Sequence, residues 1–364
     1  MIADAAPVRF SLRARCGLLV AGIGIAAILI EAMLRVLWIN PWAGVRPEHV
    51  VTVRMHPRGV VREIKRAAIA PETPSVRFRT DDRAYILPNH QFERPELTIA
   101  FLGGSTTECS LVQEPLRFPA LVSGELAKRG RHVNTLNAGR SGNTLHDSFL
   151  VFINHVVEDR PDAVVVMHTA NDIGVLDAAG SYETREGAPL GLGVVGRYVL
   201  QIASARSSMA GLIREFVAAP RLTPPPAAFT PDTERVDDRV RALALGPYRS
   251  RLIAFVRTAR AFGIGPILMT EPLASMRTAL SPDWTDVGRQ ELFNDVVRTV
   301  AREESAPLID LARLVSRVPG WEEPMTVFYD GVHVTDAGSR VYAELIAEAL
   351  DPIVGHLREQ RSSP

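Results

Sequence analysis

Ile99-Ala100-Phe101-Leu102-Gly103-Gly104-Ser105-Thr106-Thr107 decides the fold of this 364-residue chain. Four apolar residues run into two glycines, and a serine follows at once. A short apolar run bounded by glycine reads as a buried strand, here 97–102. A strand apolar on both faces belongs to a parallel sheet covered by helices. Working outward from it, the stretch 132–136 and the runs at 163–167, 266–270 and 307–310 predict further strands. Helical patterns at 116–129, 144–158, 246–262, 285–304 and 336–350 alternate with them. Strand–helix alternation predicts an α/β protein with a parallel sheet between helical layers.

Sites in such sheets form at the carboxyl ends of strands, and Ser105 sits at one. Its hydroxyl is a candidate nucleophile. If Ser105 opens the next helix, its amide faces the same space and can stabilise an oxyanion. Taken alone, a serine there reads as a helix cap before it reads as a nucleophile. Gly139, after the second strand, can present an unhindered amide. Asn171, after the 163–167 strand, can supply a side-chain amide donor. Asp330-Gly331-Val332-His333 precedes the last helix. A nucleophilic serine needs a base and the base an orienting acceptor, which His333 and Asp330 supply within one loop. His168, beside Asn171, is the nearest rival base. Glu271, after the 266–270 strand, reads as a solvated loop carboxylate. The G-x-S-x-G elbow of α/β-hydrolases is missing, because Thr107 stands where its second glycine belongs.

Near the amino end, residues 16–39 are apolar except for Glu31 and Arg35. These two are four apart and can pair on one helix face. About 20 apolar residues suffice to cross a bilayer. Trp38 and Trp42 suit a membrane boundary, and Arg9, Arg13 and Arg15 place residues 1–15 on the cytoplasmic side. The expectation is a single uncleaved span with everything after it outside the cytoplasm, in the periplasm of a Gram-negative cell. A cleaved signal peptide is the competing reading. Residues 40–95, rich in proline and arginine, read as a stalk or irregular lead-in. Residues 96–352 form the main domain, interrupted by a Gly- and Pro-rich insertion at 174–245 with a helix near 196–218. Residues 353–364 read as a tail. The 41 basic and 41 acidic residues balance, which argues against a nucleic-acid partner. Cys16 and Cys109 are not expected to pair, and no Cys/His spacing suggests zinc.

Together these blocks resemble the SGNH, or GDSL-type, hydrolase family, in its variant with glycine before the serine. Gly103-Gly104-Ser105-Thr106-Thr107 resembles the first block. Asn137-Ala138-Gly139 with Ser141-Gly142-Asn143-Thr144 resembles the second. Thr169-Ala170-Asn171-Asp172 resembles the third, with Thr169 in place of a glycine, where it can crowd the pocket or shift Asn171. Asp330-Gly331-Val332-His333 matches the last. Phe118-Pro119-Ala120-Leu121 and Pro307-Leu308-Ile309-Asp310-Leu311 are also similar to family segments.

The resemblance implies a three-layer α/β/α sandwich with a flavodoxin-like sheet of about five parallel strands. It implies Ser105 as nucleophile, His333 as base oriented by Asp330, and an oxyanion hole of the Ser105 amide, the Gly139 amide and Asn171. No metal or organic cofactor is implied. The expected activity is a serine esterase cleaving acyl esters, acetyl among them, on a cell-surface or secreted glycan. An O-acyltransferase to a glycan, using the same three residues, and a non-catalytic polysaccharide-assembly partner are the alternatives.

Overall fold

The computed structural model describes residues 11–37, 53–182, 203, 207–218, 238–275 and 287–362. These divide into two compact units. Residues 11–37, 203 and 207–218 belong to one; the remainder, from Val53 onward, form the other.

The first unit contains helix α1 (Leu12–Val36), whose stretch Gly17–Val36 has a mean hydropathy of 2.3 and is almost entirely exposed. A helix of that length and composition meets the requirement for a membrane span or a signal sequence. The expected Glu31–Arg35 pair forms at 2.8 Å. Glu31 also accepts from the Ser207 hydroxyl and from the Ser208 and Met209 amides. It therefore caps the helix Ser208–Ala218, a charge at a helix amino end. Trp38, Trp42, residues 1–10, and residues 196–202 and 204–206 of the expected 196–218 helix lie outside the described residues.

The second unit opens with an antiparallel ribbon, β1 (Val61–Lys65) and β2 (Ser75–Arg79). The sheet follows: β3 (Leu97–Gly103), β4 (Val133–Asn137), β5 (Ala163–Met167), β6 (Gly265–Met269) and β7 (Leu308–Ile309). All four neighbour pairs are parallel, in the order β4-β3-β5-β6-β7. This is the flavodoxin-like order, whose switch point lies between β3 and β5. Residues 99–102, 133–137 and 163–167 are buried without alternation, as a sheet covered on both faces requires.

Helices after α1, in chain order, are α2 (Ser105–Glu108), α3 (Phe118–Lys128), α4 (Leu145–Val151), α5 (Val157–Asp159) and α6 (Ala170–Ala179). A π turn at Phe152–Val156 joins α4 to α5. Then come α7 (Ser208–Ala218), α8 (Asp238–Ala261), α9 (Val287–Glu303), α10 (Leu311–Val315) and α11 (Asp336–Ser362). Two apolar cores separate the layers. Ile99, Phe101 and Val165 face α3 and α11; Ala100, Leu102 and Val166 face α4, α8 and α9.

The structure departs from the sequence reading in three places. From Val53 the supposed stalk is part of the second unit, which holds the sheet. Ile86 bridges Asn137, and Asn134 pairs with the Phe92 backbone in both directions, so this segment covers the outer edge of β4. Arg66 is buried between the Leu111 carbonyl and Asp336, both in the second unit. The insertion is shorter than 174–245, since α6 runs to Ala179 and α8 begins at Asp238. The tail is not separate: α11 continues through Pro352 to Ser362. Proline forfeits one backbone bond there, while Ile346, Leu350 and Val354 stay buried on one continuous face.

Candidate active site

The loops that end β3, β4 and β5, and the turn before α11, converge at the carboxyl end of the sheet. Gly104 precedes α2 in an extended conformation, and Ser105 is the first helical residue. Its amide therefore has no acceptor within the helix. A Cβ on Gly104 would lie 2.7 Å from Asn171 Nδ2 and 3.3 Å from the Asn143 carbonyl. Only glycine lets Asn171 lie this close to the strand end.

The turn before α11 is built around Asp330. Gly331 has φ +90, which reverses the chain. Asp330 Oδ1 then accepts from the Val332 amide at 3.1 Å and the His333 amide at 2.8 Å. Its Oδ2 lies 2.7 Å from His333 Nδ1. His333 Nε2 lies 2.7 Å from Ser105 Oγ. With the carboxylate accepting at Nδ1–H, Nε2 is free to accept the serine proton. The Tyr329 ring stacks on the imidazole at 11°. Asp330 is nearly buried, while His333 keeps a quarter of its side chain exposed. Thus Ser105 joins a histidine 228 residues further along the chain, and that histidine's aspartate, in one hydrogen-bonded row.

Asn171, in the first turn of α6, donates through Nδ2 to the Asn143 carbonyl at 2.8 Å. Gly139 needs correction as an oxyanion donor. Its amide donates to Asn137 Oδ1 at 2.9 Å. A Cβ there would meet the Glu108 nitrogen at 2.5 Å, so Gly139 lets the β4 loop pack tightly against α2. Gly142, three residues on, stands between Ser141, which lines the cavity beside Ser105, and Asn143, which holds Asn171. The sequence reading quoted Gly142 within the second block but not as a donor. Only the turn of the folded loop distinguishes the two glycines.

His168 is not at Ser105. It is buried, its Nε2 lies 2.7 Å from Ser148 Oγ, and burial pulls it down to about 3, so it stays neutral. Thr169 does not crowd the pocket. Its φ of −163 is extended backbone that any residue adopts, and its hydroxyl turns inward to Glu271 at 2.8 Å. Glu271 itself is 3% exposed, not a solvated loop carboxylate.

Ser105, Cys109, Val112, Ser141, Tyr329 and His333 line a cavity of about 80 Å³. A larger one, about 520 Å³, lies at the amino end of the strands by Leu97, Gly265 and Pro307, away from this chemistry. Among the described residues no group of three His, Cys, Asp or Glu is placed to hold a metal ion.

A five-stranded parallel sheet with this row at its carboxyl end defines a hydrolase of the α/β/α class. The chain belongs to the GDSL-like lipase/acylhydrolase family, whose model matches residues 101–341. Among solved structures it is similar to a lipase/acylhydrolase from Enterococcus faecalis, at 18% identity and a TM-score of 0.44, covering 71% of this chain and 96% of that one. It is also similar to an acetylxylan esterase from Geobacillus stearothermophilus, at 18% identity and a TM-score of 0.41, covering 70% and 94%. No curated protein matches the chain.

Proposed function

We propose that the protein is a membrane-anchored serine esterase that removes short acyl groups, acetyl above all, from a glycan outside the cytoplasm. The row Ser105–His333–Asp330, with both contacts at 2.7 Å, carries this reading. Ser105 Oγ adds to the ester carbonyl while His333 Nε2 takes its proton. The carbonyl electron pair moves onto oxygen, facing the Ser105 amide, the Gly142 amide and Asn171 Nδ2. His333 returns the proton to the departing alcohol, leaving an acyl-Ser105 ester. Water then repeats the sequence and releases the acid. Asp330 holds the imidazole in the required tautomer and stabilises its charged form.

Cavity size supports a small acyl group. The cavity beside Ser105 measures about 80 Å³, well below the 520 Å³ of the one at the amino end of the strands. Cys109, Val112 and Tyr329 line it beside Ser105. The glycan rests on the resemblance to anchored glycine-variant members of the family. The site outside the cytoplasm rests on the arginines that precede the apolar stretch Gly17–Val36.

Turnover of p-nitrophenyl acetate and p-nitrophenyl octanoate by wild type and Ser105→Ala tests the reading. Acetate turnover that Ser105→Ala abolishes, with octanoate poorly cleaved, is expected. Equal turnover by the two proteins would sink it. With an acetylated glycan, release of free acetate marks hydrolysis; retention of acetyl on a second sugar marks transfer.

A further inference from the structure

Beneath the strand ends that carry Ser105 and Asn171 lies a carboxylate that the reaction does not touch. Glu271, two residues after β6, is almost wholly buried. Its Oε1 accepts from the Thr106 hydroxyl at 2.7 Å, and Thr106 is the neighbour of Ser105. Its Oε2 accepts from the Thr169 hydroxyl and the Ala170 amide, both at 2.8 Å, and Ala170 is the neighbour of Asn171. Glu271 is itself fixed from behind by α9. Its amide donates to Asn294 Oδ1 at 3.0 Å, and its carbonyl accepts from Gln290 and Asn294 at 3.0 Å each. Gln290 also donates to Thr169 Oγ1.

Burying a carboxylate is costly unless donors replace the lost water. Among the described residues no cationic side chain forms an ion pair with Glu271; three uncharged donors hold it. Two of them adjoin Ser105 and Asn171 on loops from different strands. The carboxylate is a rigid strut between those loops. An oxyanion hole works only when its donors sit within about 2.7–3.1 Å of where charge develops. A misplacement of about 1 Å can cost roughly a hundredfold in rate.

We infer that Glu271 is a positioning residue that sets the separation of Ser105 and Asn171, and so the fit of the oxyanion formed when Ser105 adds to the ester. This rests on Ser105 as nucleophile. It also accounts for Thr169: a glycine there would leave Glu271 one donor short. Glutamine can keep the strut without charge, its oxygen accepting from Ala170 and Thr169 and its amide donating to Thr106.

The test uses the full chain in detergent, with wild type, Glu271→Ala, Glu271→Gln and Thr106→Val. Readouts are kcat and KM on p-nitrophenyl acetate and the rate of Ser105 labelling by a fluorophosphonate. For Glu271→Ala the expectation is a kcat roughly 30- to 100-fold lower with KM within about twofold, and labelling slowed in step. Glu271→Gln should stay within about threefold of wild type on both. If Glu271→Ala fails to fold by circular dichroism, Thr106→Val carries the test. It removes one bond and should lower kcat about tenfold, with KM unchanged.

Wild-type kcat in Glu271→Ala or Thr106→Val overturns the positioning role. So does equal loss in Glu271→Gln and Glu271→Ala, which would mean that the charge matters, not the strut. A wild type that neither turns over ester nor labels overturns the esterase reading, and the inference with it. A labelled, active wild type beside unchanged variants overturns the inference alone.

Discussion

His333 touches Ser105 with one ring nitrogen and Asp330 with the other, so the imidazole has a single productive tautomer. Asparagine at 330 can offer an amide instead of an oxygen to Nδ1, which would turn the basic lone pair away from Ser105. Asp330→Asn should therefore lower kcat by about 10⁴ with the fold unchanged, as measured by steady-state hydrolysis of p-nitrophenyl acetate alongside circular dichroism. Asn171→Ala removes one oxyanion donor and should lower kcat by roughly 10²–10³, about 2.7–4 kcal/mol, with KM little affected. A kcat within twofold of wild type would remove Asn171 from the site. At this scale the sequence was most informative where a side chain does its work within a local motif. Asp330-Gly331-Val332-His333 closes on itself in one turn, and Ser105 must follow a strand. Gly139 and Gly142 share a loop, and nothing in their order says which amide Asn137 occupies. Glu271 was illegible for a similar reason. Its three donors come from positions 106, 169 and 170, and only the assembled sheet brings them together.

At the scale of elements, α4 is held at its start by two devices. Thr144 and Asp147 form a reciprocal cap. Asp172, from α6, accepts from the Leu145 amide at 2.9 Å and from the Tyr182 hydroxyl. Asp172 is completely buried, and burial pushes its carboxyl up from an ordinary 3.8 to about 7, against those hydrogen bonds, which pull it down. Between those values the unfolded chain ionises while the fold retains the proton. The native state then binds more protons, so stability from this group is full below about 3.8 and declines as pH rises to about 7. Asp172→Asn cannot titrate. Its Tm should fall less than that of wild type between pH 4 and 7, when both are followed by thermal denaturation; parallel curves would show that Asp172 ionises freely in the fold. Elements were legible in proportion to their apolar runs. β3 and β5 are buried throughout and stand out, whereas β1 and β2 bury only Val76 and Phe78 among charged neighbours. The segment that carries them is fixed largely by arginines. Arg117, for one, bonds the Leu87 and Arg77 carbonyls, which no hydrophobic periodicity can announce.

At the scale of the whole chain, α1 is set off by its composition. Leu18, Leu19, Val20, Ile23, Ile25, Ile28 and Leu29 are each at least 59% exposed among the described residues. With 20 residues of mean hydropathy 2.3, the stretch is long and apolar enough for a membrane span or a signal sequence. Its interruption, Glu31, pairs with Arg35 and caps α7, so the charge is answered within the same unit. Arg9, Arg13 and Arg15 precede the span, and such residues are retained on the cytoplasmic side. The enzyme should therefore stay in the membrane pellet through alkaline carbonate extraction, at full length. Alkaline phosphatase fused after Pro364 should be active, since it needs an oxidising compartment to form its disulfides. A soluble, shortened product would identify α1 as a cleaved signal sequence, leaving the catalytic unit outside but unanchored. A full-length membrane protein with inactive phosphatase would put Ser105 in the cytoplasm and remove extracytoplasmic glycans as its substrates.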